Sequence, residues 1–227
     1  MSKEHLPVQD YTKLAGDYDE TRYTVEVDRF LDSFREEVFL ELLQPNRSMK
    51  IIDVGTGTGS GISFFAERVK GFTGLDGTQA MLDLAQLKID EAGLNNVDLV
   101  CANALEIPFE NNTFDHVTSL NFIHLFAPKG IEVQAKFIAE MARIVKPGGS
   151  VIVEFDNYKF LELGNNYQDL EKMRGELQVD RVVGTYLPKT GKVSRFSQQL
   201  GKSFARLARR KLFRNYAYKW VVKYTKS

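Results

Sequence analysis

The sequence predicts an α/β domain built on a doubly wound, mostly parallel sheet, and three observations lead to this class. A short apolar stretch, residues 51–54, has the composition of a buried parallel strand. It runs into a glycine-rich turn that opens a helical pattern, as in a strand–loop–helix unit. Further strand-length apolar stretches then alternate with helix-length amphipathic stretches, which is typical of parallel strands joined by crossover helices.

The composition limits the classes of protein to consider. A chain of 227 residues with zero formal net charge is long enough for one sizeable domain. Its single cysteine, Cys101, excludes a disulfide framework and a cysteine-based zinc site, and we expect no metal. The first residues do not resemble a signal peptide, and no apolar run has the length needed to cross a bilayer. We therefore expect a cytoplasmic protein.

The glycine-rich turn favours one kind of ligand over another. Gly55, Gly57 and Gly59 stand at alternate positions, whereas a dinucleotide fingerprint requires its third glycine one residue later, where Ser60 stands. Asp53 precedes the first glycine by two residues. A pyrophosphate would be repelled by that carboxylate, whereas the α-amino group of an amino acid would be attracted to it.

The remaining predicted strands place polar groups at the same edge of the sheet. Residues 71–76 form the second strand and end in Asp76, a carboxylate that can accept the ribose hydroxyls of an adenosine. Residues 97–101, 114–120 and 150–155 are the third, fourth and fifth strands. Because ligands of open α/β sheets bind at the carboxyl ends of the strands, we expect the site at this edge.

Two polar residues follow the fourth strand, and one of them is the candidate for proton transfer. Asn121 and His124 lie where that strand ends. His124 is either a general base that takes a proton from the substrate or a histidine of the pocket wall held by a backbone carbonyl. His116, inside the strand, is predicted to be structural.

Four segments, in the expected order, resemble one family. The turn after Asp53 resembles motif I of the class I S-adenosylmethionine (SAM) dependent methyltransferases. The second strand with Asp76 and residues 102–109 resemble that family's ribose- and adenine-binding segments, and residues 143–152 its last shared motif, so that the four span residues 50–156. Outside this span, residues 11–23 resemble, less specifically, the family's amino-terminal element. The type 11 group fits best. The resemblance implies a Rossmann-like sheet of the seven-strand type, an antiparallel last strand, a helical lid and SAM as cofactor.

The resemblance also implies a set of site residues. The family's loop holds the methionine end of SAM, the acid after the second strand holds the ribose, and the next segment contacts adenine. Gly77 stands where relatives have a bulky apolar residue, so Met81 and Leu105 are expected to carry more of that contact. Asn103 replaces an acid, and its amide carbonyl can still accept a hydrogen bond. The predicted cofactor-binding residues are Tyr18, Asp53, Gly55, Thr56, Gly57, Gly59, Asp76, Gly77, Met81, Asn103, Ala104, Leu105 and Asn121.

We expect a single domain with four parts. Residues 1–49 form an amino-terminal helical cap and residues 50–156 the SAM-binding core. Residues 157–200 form a variable lid, and residues 201–227 form a basic helix followed by a strand. The implied activity is methyl transfer from SAM to an oxygen, nitrogen or carbon of a small-molecule acceptor.

The charge is unevenly distributed, which leaves alternative functions open. From residue 202 onward the chain has lysines and arginines but no acid. This basic segment is either a solvated helix face or the footprint of an anionic partner. An RNA-binding protein or RNA methyltransferase is therefore the main alternative. An NAD-dependent oxidoreductase is disfavoured by the glycine spacing. We expect a small-molecule acceptor, no nucleic acid and at most weak contact with anionic membranes, and the oligomeric state stays open.

Overall fold

A computed structural model describes residues 26–157, 167–187, 190, 198–210 and 214–227. Helices and strands alternate along most of this length, as the sequence predicts. The helices are α1 (Glu26–Leu43), α2 (Ser60–Phe65), α3 (Gln79–Ala92), α4 (Ile131–Ile144), α5 (Tyr167–Met173) and α6 (Gln198–Leu207). The strands are β1 (Lys50–Val54), β2 (Gly71–Asp76), β3 (Val97–Cys101), β4 (Phe114–Ser119), β5 (Val145–Asp156), β6 (Gln178–Gly184) and β7 (Lys219–Thr225).

The strands form one seven-stranded sheet in the order β3-β2-β1-β4-β5-β7-β6. The pairs from β3 to β5 are parallel, whereas β7 runs antiparallel to both of its neighbours, β5 and β6. The predicted fold class, including the antiparallel last strand, is confirmed. Strand order reverses between β1 and β4, and an open sheet of this kind has its ligand crevice at that point.

The core lies on both faces of the sheet because successive residues of a strand point to opposite sides. Ile51 of β1 packs with the cluster formed by α1, α2 and α3, whereas Ile52 packs with the cluster that contains α4 and α5. Both isoleucines are fully buried. Each layer of helices therefore covers one face, and the edge formed by the strand ends is left for the site.

The structure departs from the sequence prediction in the carboxyl-terminal third. Residues 157–200 are predicted to be a lid, but residues 178–184 of that segment form β6 at the edge of the sheet. This strand was not recognised because its sequence, QVDRVVG, is half polar, as an edge strand with exposed residues is. The lid as a whole stays a prediction, since much of it lies outside the described residues.

The basic helix α6 is attached to the body of the protein. Ala205 and Ala208 are fully buried, and a Cβ placed on Gly184 of β6 would lie 2.5 Å from the carbonyl oxygen of Ala208. The Trp220 indole of β7 donates a hydrogen bond of 2.8 Å to the carbonyl oxygen of Arg214. The segment after α6 is thus fixed where it leads into the sheet.

The described part of the chain contains neither a membrane-spanning helix nor a cluster of metal-ligating side chains. No helix there combines the length and apolar character that crossing a bilayer requires. Likewise, no group of three or more histidine, cysteine or acidic side chains is placed to hold a metal ion within those same residues.

The tight contact at Gly184 yields a test of how α6 packs on the sheet. We expect Gly184→Ala to reduce the free energy of unfolding by about 1–3 kcal/mol, because its methyl group would overlap the backbone at Ala208. Gly71→Ala in β2 is the control, since the nearest atom to its Cβ would be a Lys50 side-chain carbon at 3.9 Å. Urea unfolding measures both variants, and equal stabilities would contradict the described packing.

Candidate functional site

The loop between β1 and α2 is the centre of the site. Its first residue, Gly55, has φ +80°, and Gly59 has φ +91°, values that L side chains rarely adopt. The amide groups of Gly55 and Thr56 both donate to the carbonyl oxygen of Leu75, at 2.7 and 3.0 Å. The loop is therefore fixed to the end of β2, with its backbone turned sharply ahead of α2.

Asp53 lies directly beneath this loop. Its side chain is 1 % exposed and accepts a 2.8 Å hydrogen bond from the Thr118 hydroxyl of β4. Only glycine fits at position 61, because a Cβ there would lie 2.6 Å from Asp53 Oδ2. Burial raises the pKa of Asp53 to about 7, although the hydrogen bond from Thr118 opposes the shift.

Asp76 is a second buried carboxylate at the end of β2, next to the loop. Its oxygens accept hydrogen bonds from the amides of Gly57 at 3.0 Å and Thr78 at 2.9 Å. The residue is 8 % exposed, and burial raises its pKa in spite of those bonds. Asp76 thus connects the glycine loop to the start of α3.

The predicted adenine-side residues gather beyond Asp76, at the ends of β2 and β3. The side-chain carbonyl of Asn103 accepts a 3.0 Å hydrogen bond from the Leu105 amide, and the Ala102 amide donates to the Asp76 carbonyl oxygen at 2.9 Å. Met81 and Ala104 are buried. Gly77, before α3, accepts a weak contact from the Cys101 thiol at 3.8 Å. The side-chain oxygen of Asn103 therefore stabilises the turn in which it lies, and the side-chain amide hydrogens are left for other contacts.

Asn121 and Phe122 close the site from the end of β4. Asn121 has φ +49°, in the left-handed region, and its side-chain oxygen accepts a hydrogen bond from the Lys219 ammonium. The Phe122 ring covers Gly55, so that a Cβ on Gly55 would lie 2.1 Å from it. His124 follows in a short 3-10 helix, Ile123–Lys129, and is half-buried.

Two further residues singled out in the sequence are not part of the described cluster. Tyr18 lies outside the described residues. His116 is within the sheet, where its Nδ1 atom lies 2.8 Å from the Ser150 hydroxyl and accepts the Ser150 amide hydrogen at 3.2 Å. Burial lowers the pKa of His116, so it stays neutral at physiological pH and supports the sheet.

A buried network of charged side chains beside Asn121 was not predicted from the sequence. Arg35 of α1 donates to Glu154 of β5 at 3.1 Å, and Lys219 of β7 lies 3.7 Å from Glu154 and 3.3 Å from Asp156. Although burial alone would lower the pKa of Arg35, Glu154 and Asp32 raise it above its usual value. The one signal in the sequence is an acid, Glu154, in an otherwise apolar strand.

Basic residues of α6 and of the turn that follows it pair with acids of α1. Arg209 lies 3.1 Å from Glu37 and 3.5 Å from Glu41, and Arg206 lies 3.8 Å from Glu37. The Arg209 guanidinium also stacks over the Phe34 ring at 5.6 Å. Part of the positive charge that favoured an anionic partner is therefore balanced within the molecule.

This fold and loop define the class of the protein. Residues 52–153 match the family described as a methyltransferase domain. With the 3-2-1-4-5-7-6 strand order and the glycine loop between buried carboxylates, the match places this core among the class I SAM-dependent methyltransferases, in the type 11 group. The predicted family is confirmed, and the cosubstrate of that family is SAM.

This chain is similar in sequence and in fold to particular methyltransferases. Demethylmenaquinone methyltransferase of Bacillus pumilus is 31 % identical over 155 residues, which cover 67 % of this chain and 63 % of that protein. The chain thus spans less than two thirds of the length of the curated relatives it matches. A SAM-dependent methyltransferase of Clostridium acetobutylicum has a TM-score of 0.64 at 17 % identity, covering 96 % of this chain and 99 % of its own.

The fold alone does not define a reaction. The [4+2]-cyclase SpnF shares it with a TM-score of 0.63 and 19 % identity, covering 85 % of this chain and 79 % of its own. A chemistry must therefore be argued from the residues of the site.

The buried carboxylate beneath the loop gives this site a measurable signature in stability. The folded pKa of Asp53 is raised to about 7 from an ordinary value near 4, so the folded state keeps a proton that the unfolded state loses. The stabilising contribution of that proton is complete below about pH 4 and is lost as pH rises through about 7. Between about pH 4 and pH 7, the unfolding free energy of the wild type should therefore fall by a few kcal/mol relative to that of Asp53→Asn.

Urea unfolding between pH 4 and pH 8 measures this difference. Asp98→Asn, which removes an exposed carboxylate on β3, is the control and should follow the wild type. A constant difference between wild type and Asp53→Asn across the range would show that Asp53 is not the group described above.

Proposed function

We propose that this chain transfers the methyl group of SAM to an oxygen, nitrogen or carbon of a small-molecule acceptor and releases S-adenosylhomocysteine. The observation that carries the proposal is the pair of buried carboxylates, Asp53 and Asp76, on either side of a glycine loop at the switch point of the sheet. The family match of residues 52–153 supports it.

The charge of the site suits SAM. Burial raises the pKa of Asp53, and the other groups that shift it are hydroxyls and the second carboxylate, Asp76. SAM carries a sulfonium and an ammonium against one carboxylate, and is net positive. A cation bound here would compensate buried negative charge that these neighbours leave unbalanced, whereas the pyrophosphate of NAD would add to it. The residues present therefore fit the cosubstrate.

We propose a role for each predicted site residue. Asp53, Gly55, Thr56, Gly57 and Gly59 would hold the methionine end, Asp53 acting from beneath the loop. Asp76 would accept the ribose hydroxyls with the lone pairs that Gly57 and Thr78 leave available. The remaining assignments follow the resemblance: the adenine would lie among Gly77, Met81, Asn103, Ala104 and Leu105, with Asn121 near the sulfur and Tyr18 over the pocket.

In the proposed reaction, the chain itself positions the acceptor next to SAM and removes a proton where the acceptor requires it. SAM, when bound, supplies an electrophilic methyl group. The protein would hold the acceptor atom in line with that group at about 3–3.5 Å and keep water away. For an oxygen or nitrogen acceptor, His124 is proposed as the base that takes the proton, because it follows Asn121 at the end of β4.

The acceptor is proposed to be a small aromatic or quinone-like molecule. Curated relatives at 30–32 % identity are named demethylmenaquinone methyltransferases, which supports a small-molecule acceptor. Phe122, Phe126 and Phe137 form an aromatic cluster beside the glycine loop, with ring centroids 5.3–5.6 Å apart. Phe126 and Phe137 are buried, and the half-buried Phe122 presents apolar surface next to the glycine loop.

RNA methylation is the alternative, and the ion pairs of α6 weigh against it. Arg206 and Arg209 face Glu37 and Glu41, and this leaves less free positive charge for a phosphate backbone. The same argument supports no more than weak contact with anionic membranes. A cytoplasmic location remains part of the proposal.

Calorimetry with SAM tests the donor site. If SAM binds the ionised form of Asp53, its affinity should rise roughly tenfold or more between pH 5.5 and pH 7.5, as the fraction of that form grows. Asp53→Asn should bind more weakly and without this pH dependence, whereas Asp98→Asn should match the wild type. NADH should not bind. Folded wild type that fails to bind SAM at millimolar concentration would overturn the proposal.

Methyl transfer is tested with labelled SAM and fractionated cell extract. We expect label in the small-molecule fraction, and label in RNA instead would favour the alternative function.

With an acceptor in hand, His124→Asn should lower turnover by about 10²-fold without changing SAM affinity. His116→Asn is the control, since that histidine contacts Ser150 inside the sheet. Unchanged turnover of His124→Asn would show that His124 belongs to the pocket wall.

A further inference from the structure

Lys219, the first residue of β7, contacts two acids of β5 and also Asn121, which lies at the end of β4 near the glycine loop. Its ammonium donates to the side-chain oxygen of Asn121 and lies 3.3 Å from Asp156 and 3.7 Å from Glu154. The lysine side chain is only 11 % exposed. A lysine held this closely by three partners has a fixed ammonium, unlike a solvated surface lysine.

Asn121, which accepts the hydrogen bond from Lys219, has an uncommon backbone conformation. Asn121 has φ +49°, and a residue other than glycine in this region carries a backbone cost. Such a conformation persists only where its surroundings hold it. The bond from Lys219 to the Asn121 side chain is a contact of this kind.

The conformation of Asn121 determines where the next side chain lies. The Phe122 ring covers Gly55 so closely that a Cβ at Gly55 would lie 2.1–2.6 Å from three of its carbons. Phe126 and Phe137 also pack against the Phe122 ring, at 5.4 and 5.6 Å between centroids. A change in the backbone dihedral angles of residue 121 would therefore shift the Phe122 ring relative to Gly55, the first glycine of the glycine loop.

The lysine is itself anchored from the opposite direction. Glu154 is fully buried and accepts a 3.1 Å hydrogen bond from Arg35 of α1. A continuous series of contacts thus runs from Arg35 through Glu154, Lys219 and Asn121 to Phe122 over the glycine loop.

We propose that Lys219 is a positioning residue for the donor site: it holds Asn121 in the left-handed conformation and so fixes Phe122 against Gly55. The inference rests on the proposed function in that the loop is taken to bind SAM. In this proposal the lysine acts through its hydrogen bond to Asn121 and has no direct role toward cosubstrate or acceptor.

Lys219→Met removes the ammonium while keeping much of the side chain's length. We expect SAM affinity to fall about tenfold by calorimetry, a loss comparable to that of one hydrogen bond to a charged group. Lys223→Met is the matched control, since Lys223 lies on the same strand and side, faces Asp180 at 3.8 Å and does not contact Asn121. Its affinity should equal that of the wild type.

A double-mutant cycle separates positioning from a general loss of stability. Glycine adopts positive φ without a supporting bond. In an Asn121→Gly background, Lys219→Met should therefore cost less than twofold in SAM affinity. An equal loss in both backgrounds, or wild-type affinity of Lys219→Met alone, would overturn the proposal. If Lys219→Met does not fold, Lys219→Gln, which keeps a donor, takes its place and should retain more affinity than Lys219→Ala.

A second readout does not depend on SAM. Amide hydrogen exchange of Gly55 and Thr56 should be faster in Lys219→Met than in Lys223→Met, because the loop loses its fixed cover. Equal exchange in the two variants would overturn the positioning role. Failure of the folded wild type to bind SAM would instead count against the proposed function and would leave this measurement valid.

Discussion

The burial of two carboxylates around one glycine loop is the constraint on which the rest of the site depends. Asp53 and Asp76 are 1 % and 8 % exposed, and burial raises the pKa of each. Placing them there costs free energy when they are ionised, which the hydroxyl of Thr118 and the amides of Gly57 and Thr78 only partly offset. A cationic ligand would complete the compensation, and the fold places this acidic pair at the point where strand order reverses.

The sequence was sufficient for the parts of the fold that local chemistry determines. The turn at Gly55 requires glycine, and the acid ending β2 follows an apolar strand, so the strand–loop–helix core was predictable. In contrast, β6 was missed because an edge strand has a polar side and lacks the continuous apolar run of a central strand.

The charged network beside Asn121 could not be predicted from the sequence, for a different reason. Arg35, Glu154 and Lys219 are far apart along the chain, and only the pairing of β5 with β7 and the packing of α1 on the sheet bring them together. Glu154 within an apolar strand is a sign of a buried partner, but nothing local identifies that partner as Lys219 or connects it to Asn121. Sequence reasoning thus located the glycine loop but not the buried charged network that lies beside Asn121.

The number of protons exchanged on SAM binding tests the central claim most directly. Calorimetry near pH 6.5 in buffers of different ionisation enthalpy gives this number. If the cosubstrate compensates Asp53 and Asp76, binding must lower their pKa values and release protons from the wild type. The release should shrink in Asp53→Asn. Binding with no proton exchange, or with proton uptake, would contradict the account.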